Sequence, residues 1–167
     1  MKINKIFSLF KLSLLVFIFC MLGCTVNNST VTLKDLKVEY KTNPLGIENT
    51  NPRLSWKIID KNNTRGQKQT AYQILVASSL ANLNDDIGDF WNSEKVATNQ
   101  SVNTTYKGKK LESAKQYFWK VKVWDASGSP SNWSEPAHFS MGLLQQSDWK
   151  GDWILKSDQK KNRLQLV

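Results

Sequence analysis

Cysteine and histidine are scarce in this 167-residue chain, which has two Cys and one His. A zinc site needs several such ligands at set spacings, so the sequence excludes a fold built around structural zinc. Both cysteines, Cys20 and Cys24, lie near the N-terminus. The rest of the chain therefore contains no disulfide, and its fold must depend on a hydrophobic core.

Motifs for phosphate binding and nucleophilic catalysis are missing too. The eight glycines form neither a glycine-rich phosphate loop nor a Gly-x-Ser-x-Gly turn. Acidic residues are few: 14 Asp and Glu stand against 23 Lys and Arg, which gives a formal charge of +9. The lysines are scattered rather than clustered, so we expect no nucleic-acid partner. We also expect no cofactor and no metal ion.

No apolar run reaches the roughly 20 residues of a membrane-spanning helix. The longest covers residues 12–23 and follows three lysines. This order of a charged and then an apolar segment is typical of a signal peptide, which we expect to be helical. The residues Met21-Leu22-Gly23-Cys24 resemble a bacterial lipobox, in which the cysteine is acylated and becomes the new N-terminus.

The lipobox resemblance implies an exported, lipid-anchored protein of the bacterial outer membrane, on its periplasmic or cell-surface face. Residues 1–23 would be the lipoprotein signal peptide, Cys24 the lipidation site and residues 24–32 a polar tether. Secretion without a lipid and retention of an uncleaved anchor stay open as alternatives. Loss of residues 1–23 leaves 20 basic and 14 acidic residues, a charge of +6.

From residue 33 onward the hydrophobic period is two rather than 3.6, which predicts strands rather than helices. Turn signals separate the runs every 8–12 residues or so, a pattern typical of an antiparallel β-sandwich. One helical turn is predicted within residues 78–88, with Ser79 as its cap. The expected strands are seven, within residues 36–40, 53–59, 72–77, 90–96, 101–106, 117–124 and 137–142.

Residues 33–142 resemble the fibronectin type III pattern of the immunoglobulin-like fold. Leu111 lies six residues before Tyr117, the spacing of a tyrosine corner. The resemblance implies that the tyrosine ring packs in the core while its hydroxyl bonds to the backbone. Trp56 matches the tryptophan of an early strand in the same pattern. The chain is therefore expected to be an all-β, seven-stranded antiparallel sandwich over residues 33–143, preceded by the signal helix.

A narrower resemblance is to the N-terminal module of bacterial α-L-rhamnosidases. The residues that carry it are 51–56, 65–77, 117–121, 133–134, 139–143 and 148–154. Full-length relatives are implied to be inverting glycoside hydrolases with paired glutamates in a later helical barrel. No residue of this chain matches that pair, so no catalytic residue is assigned. Residues 144–167 would be a linker and the start of the next β-domain, cut short by a truncated or shifted reading frame; a stand-alone module is the competing interpretation.

The aromatic residues divide by strand face. Trp56, Tyr72, Tyr117 and Trp119 share the face of the aliphatic residues and are predicted to form the core. Phe118 and Trp124 point the other way, between lysines. Three roles stay open for these two: packing against a downstream domain, cover by the module's own loops, or stacking with a sugar.

Other polar residues carry little chemical signal. His138 is expected to be a surface or packing residue, and Asp85, Asp86 and Asp89 are expected to form a solvated loop rather than a calcium site. Glu94 stands where the rhamnosidase resemblance has glycine, which indicates a turn with positive φ.

Taken together, these patterns predict a non-catalytic, lipid-anchored module of an α-L-rhamnosidase that contacts the membrane through its lipid and packs against downstream domains. The alternative is a stand-alone lipoprotein that binds a rhamnose-containing polysaccharide or another protein.

Overall fold

A computed structural model describes residues 29–151. The predicted signal peptide, Cys24 and most of the expected tether lie outside this range. The order of elements is strands β1 (Val31–Val38), β2 (Arg53–Asp60) and β3 (Ala71–Ala77), helix α1 (Leu80–Asn84), strands β4 (Trp91–Asn92), β5 (Thr104–Thr105), β6 (Gln116–Trp124) and β7 (Ala137–Ser140), and a short 3-10 helix at Gln146–Asp148. No helix in this part of the chain is long and apolar enough to cross a bilayer.

Two antiparallel sheets face each other, one with the strand order β1-β2-β5 and the other with β4-β3-β6-β7. The predicted all-β sandwich with seven strands is therefore confirmed. Central pairing joins β3 to β6 over seven residue pairs, from Ala71 opposite Trp124 to Ala77 opposite Phe118. This register fixes which side chains of β6 point into the sandwich and which point away.

The space between the sheets is filled by the alternate, inward-facing residues. Trp56, Tyr72, Tyr117 and Trp119 all lie there, with exposed fractions of 8% or less. The Trp56 indole N–H donates to the Oε1 of buried Gln69 at 3.0 Å. Gln69 in turn donates to the backbone carbonyls of residues 98 and 100, so this polar group inside the sandwich has partners on both sides.

β1 differs from the expectation, because it begins at Val31 rather than at residue 36. Val31 is 3% exposed and pairs with Asp60, while Thr32 pairs with Ile59. The last residues of the expected tether are thus part of the sandwich. Val31 is surrounded by polar residues in the sequence, so the start of the strand has no clear apolar alternation. Pairing with β2 therefore determines that this segment is extended.

Candidate functional surface

The outer face of the four-stranded sheet carries the residues predicted to point away from the core. On β6 these are Phe118, Lys120, Lys122 and Trp124, which alternate with buried Tyr117, Trp119, Val121 and Val123. Opposite them on β3 lie the small or apolar Ala71, Leu75 and Ala77, together with Gln73. A central strand with this face open to water would expose a large apolar area.

One end of this face is covered by the chain itself. Helix α1 brings Leu83 onto Leu75 and Ala77, and these three side chains form a second small core. Phe118 and Trp133 pack against it and are half-buried. Ser79 is the N-cap of the helix, as predicted, and its hydroxyl accepts from the Asn82 N–H.

Lys120 is buried beneath α1, with only 6% of the residue exposed. Its ammonium donates to the Leu83 carbonyl and to Asp86 Oδ1, both at 2.5 Å. A buried lysine needs such partners because an unpaired charge away from water is strongly unfavourable. The contact ties β6 to the C-terminal end of α1. Sequence reasoning did not identify Lys120, since alternation on β6 gives no sign of its partners on α1.

Lysines and tryptophans alternate across the rest of the face. The Lys95 and Lys122 ammoniums lie 4.4 and 5.4 Å from the centre of the Trp124 ring. Lys122 and Lys120 lie 4.5 and 5.1 Å from the Trp133 ring. We call these five residues the lysine–tryptophan row. Cation–π attraction holds its members together, and within residues 29–151 Lys95 and Lys122 form no ion pair with a carboxylate.

The tyrosine corner lies at the opposite end of β6. Leu111 is fully buried, and the Tyr117 hydroxyl accepts from the Glu112 N–H at 2.9 Å. The next residue but one from Leu111, Ser113, donates to Asp148 Oδ2 at 2.5 Å and accepts from the Leu144 N–H at 3.1 Å. The corner therefore also holds the segment through which the chain leaves the sandwich.

Several carboxylates of the described residues take part in turns and ion pairs. Hydrogen bonds from Thr30 and then Thr64 lower the pKa of Asp60 from 3.8 to about 2. Hydrogen bonding to Lys57 lowers the pKa of Asp35, and hydrogen bonding to Arg53 lowers that of Glu39. The Ser113 hydroxyl likewise lowers the pKa of Asp148. All four groups are therefore ionised near neutral pH.

Hydrogen bonds also lower the pKa of Asp89 and Asp125, which lie in more enclosed positions. Burial raises the pKa of each, but hydrogen bonds from Ser78 to Asp89 and from Ser127 and its neighbours to Asp125 outweigh it and leave the pKa lowered. Asp89 receives both the Ser78 N–H and its hydroxyl, at 2.9 and 2.6 Å. Each carboxylate thus fastens a loop.

The remaining predicted residues are distributed over the surface. Among residues 29–151 no three His, Cys, Asp or Glu side chains come close enough to hold a metal ion. His138 is half-buried, with its ring centre 6.2 Å from that of Phe118. Glu94 has φ = 52°, the positive value that the glycine resemblance indicates. Trp149 is 63% exposed at the end of the described chain.

Fold and surface together define an immunoglobulin-like β-sandwich module that is stabilised by its core and in which several carboxylates hold turns and loops. The comparison with known proteins gives the family. The model for the N-terminal immunoglobulin domain of Rha78A-like proteins matches residues 33–145, and the chain belongs to this family. The predicted membership of the rhamnosidase N-terminal module is thereby confirmed.

Full-length relatives are α-L-rhamnosidases. One from Formosa agariphila is 46% identical over 158 residues, which cover 92% of this chain and 16% of that protein. One from Streptomyces avermitilis is 41% identical and is covered over 12% of its length. This chain thus spans about one seventh of the length of the curated relatives it matches.

Solved structures agree in fold. The α-L-rhamnosidase of Dictyoglumus thermophilum superposes with a TM-score of 0.72 at 44% identity, over 76% of this chain and 14% of that one. The Streptomyces avermitilis enzyme, solved with L-rhamnose, superposes with a TM-score of 0.72 at 40% identity, over 77% of this chain and 12% of that one. The immunoglobulin-like sandwich is therefore the fold of this part of the enzymes as well.

Proposed function

We propose that this β-sandwich is a non-catalytic N-terminal module of an α-L-rhamnosidase and supports the enzyme's catalytic part. The observation that carries the proposal is that residues 33–145 match the N-terminal immunoglobulin domain of Rha78A-like proteins. Inverting glycoside hydrolysis needs a carboxylic acid with a raised pKa and a second carboxylate about 6.5–9.5 Å away, with space for a water. In residues 29–151 the carboxyl groups with a shifted pKa are all shifted downward, toward the ionised form.

Two assays test this proposal. The 167-residue chain is incubated with a nitrophenyl α-L-rhamnoside, and we expect no release of nitrophenol; release by the chain would contradict a non-catalytic role. A chimera is then made in which residues 1–151 replace the corresponding N-terminal part of the 46% identical Formosa agariphila enzyme. We expect the chimera to fold and to hydrolyse the substrate, whereas failure to fold or to hydrolyse would contradict the supporting role.

A second part of the proposal is that a lipid on Cys24 anchors the module to the outer membrane. The lipobox-like residues 21–24 and the apolar run before them support it. Since β1 begins at Val31, the seven residue steps from Cys24 to Val31 can span at most about 25 Å. The module would thus lie directly above the headgroups. Cys24→Ala should move the protein from the membrane fraction to the soluble fraction, while Cys20→Ala should leave it in the membrane.

A second candidate function is binding of a rhamnose-containing polysaccharide, favoured by the lysine–tryptophan row. Lys95 and Lys122 offer two ammoniums beside the indole of Trp124, so uronate carboxylates of pectin fragments would find partners there. Phe118 is a weaker candidate because it packs beneath α1. Titration calorimetry with rhamnose-containing pectin fragments tests this function. Binding that Trp124→Ala abolishes, and Val102→Ala preserves, would support it; no heat would leave only the supporting role.

A further inference from the structure

Three large apolar side chains are exposed where the chain leaves the sandwich. Leu45 is 80% exposed, Leu143 is 38% exposed and Trp149 is 63% exposed. Leu143 and Trp149 flank the 3-10 helix at Gln146–Asp148, and Leu45 belongs to the loop between β1 and β2. We call these three residues the exit surface.

Backbone pairing brings the two segments of the exit surface side by side. Ile47 and Met141 form a parallel bridge, in which the Ile47 N–H donates to the Ser140 carbonyl at 2.9 Å and the Gly142 N–H to the Ile47 carbonyl at 2.8 Å. Gly142 approaches Gly46 so closely that a Cβ on Gly142 would lie 3.4 Å from the Gly46 backbone. Leu45 and Leu143 each adjoin one of these glycines, so both belong to this edge.

The segment that follows is fastened to the tyrosine corner. Leu144 packs against the main core. Asp148 receives the Ser113 hydroxyl at 2.5 Å and the Gln145 N–H at 3.0 Å. These contacts fasten residues 144–148 to the sandwich. A fixed exit is of use when the following part of the protein must be held in one orientation.

The other surface considered for a downstream contact has some cover of its own. Phe118 packs against α1 and Trp133, and Trp124 lies against Lys95 and Lys122. The outward aromatics on β6 are thus partly covered by the module's own residues. The exit surface has no comparable cover within residues 29–151.

We propose that the exit surface packs against the domain that directly follows the module in the α-L-rhamnosidase polypeptide. This inference rests on the proposed function. The matched region is the N-terminal domain of relatives and makes up only 12–16% of their length, so most of such a protein follows this exit. Apolar side chains at 38–80% exposure suit a partner that stays covalently attached and covers them permanently.

Thiol labelling tests the packing. The residues from 25 to 167 lack cysteine, so single substitutions Leu45→Cys, Leu143→Cys and Trp149→Cys report exposure at one position each. Val102→Cys is the matched control, since Val102 is 54% exposed elsewhere. Labelling rates, mapped by peptide mass spectrometry, are compared between the 167-residue chain and the Formosa chimera. We expect labelling at 45, 143 and 149 to slow at least tenfold in the chimera, while labelling at 102 is unchanged.

A second measurement guards against disruption by the cysteines. The double variant Leu45→Asp with Leu143→Asp should leave the unfolding temperature of the 167-residue chain unchanged and lower that of the chimera's module. Val102→Asp should change the unfolding temperature by the same amount in the chain and in the chimera. If the chimera hydrolyses the rhamnoside but is labelled at 45, 143 and 149 as fast as the 167-residue chain, the exit surface does not pack against the following domain. The proposed function would then still stand. If the chimera neither folds nor hydrolyses, the proposed function fails and this inference fails with it.

Discussion

The hydroxyl of Tyr117 accepts a hydrogen bond from the backbone N–H of Glu112 at 2.9 Å, five residues earlier in the chain. The ring is 1% exposed and lies between Phe90 and Phe139. One side chain thus joins the core to the loop that leads into β6. The same loop holds Asp148 through Ser113, so the tyrosine corner supports the exit segment as well.

Tyr117→Phe should therefore lower the free energy of unfolding. The variant keeps the ring and removes one acceptor, which leaves the Glu112 N–H without its partner and costs about 1 to 2 kcal/mol. Urea denaturation followed by tryptophan fluorescence measures the change. Tyr40→Phe is the control, because Tyr40 is 56% exposed and its loss should cost less than about 0.5 kcal/mol. Equal stability of Tyr117→Phe and the parent chain would contradict this role.

The core and the tyrosine corner could be predicted from sequence because both depend on local spacing. Period-two alternation assigns Tyr117 and Trp119 to one face, and the interval from Leu111 to Tyr117 gives the corner. The positive φ of Glu94 could be predicted because the rhamnosidase resemblance has glycine at this position. Each of these patterns spans about ten residues or fewer, so it can be recognised without knowledge of the tertiary fold.

Features that depend on distant contacts could not be predicted. Lys120 alternates like a solvated residue, yet it is buried because Leu83 and Asp86, more than 30 residues away, close over it. Gln69 resembles a loop residue in the sequence, and only the folded sandwich brings the Trp56 indole to it. Leu45 and Leu143 lie on one edge of the sandwich because residues 47 and 141 form a backbone bridge. The proximity of these two segments therefore had no sequence signal.

Lys120→Met should loosen α1 from the sheet. Methionine has a similar length but cannot donate to the Leu83 carbonyl or pair with Asp86, and hydrogen bonds to a charged group are worth about 1.5 to 3 kcal/mol. We expect the free energy of unfolding to fall by about 1 to 3 kcal/mol and amide exchange within Leu80–Asn84 to accelerate. Lys122→Met is the matched control, since its ammonium lies over two indole rings and its loss should cost about 0.5 to 1 kcal/mol. Unchanged exchange in α1 would show that Lys120 does not hold the helix.

Glu94→Gly should stabilise the module. Glu94 has φ = 52°, where a side chain is strained and glycine is not. The bond from Asn92 to the Glu94 carboxylate is exposed and contributes little in comparison. We expect a gain of about 0.5 to 1 kcal/mol in the free energy of unfolding by urea denaturation. The control Glu135→Gly, at a residue without positive φ, should lose about as much, and a loss in Glu94→Gly would contradict the explanation.

The hydrogen bonds to Asp60 should make stability depend on pH in the acid range. In the folded chain the Thr30 hydroxyl and the Thr64 N–H, at 2.5 and 2.6 Å, lower the pKa of Asp60 from 3.8 to about 2. Because the folded pKa is lowered, the contribution of the carboxylate is complete above the unfolded pKa and is lost as the pH falls from about 4 to 2. Asp60→Asn removes this titration. We therefore expect the parent chain to be more stable than Asp60→Asn at pH 7, and the difference to shrink between pH 4 and pH 2 in urea unfolding. A difference between the parent and Asp60→Asn that is as large at pH 2 as at pH 7 would show that the hydrogen bonds at Asp60 do not favour its ionised form.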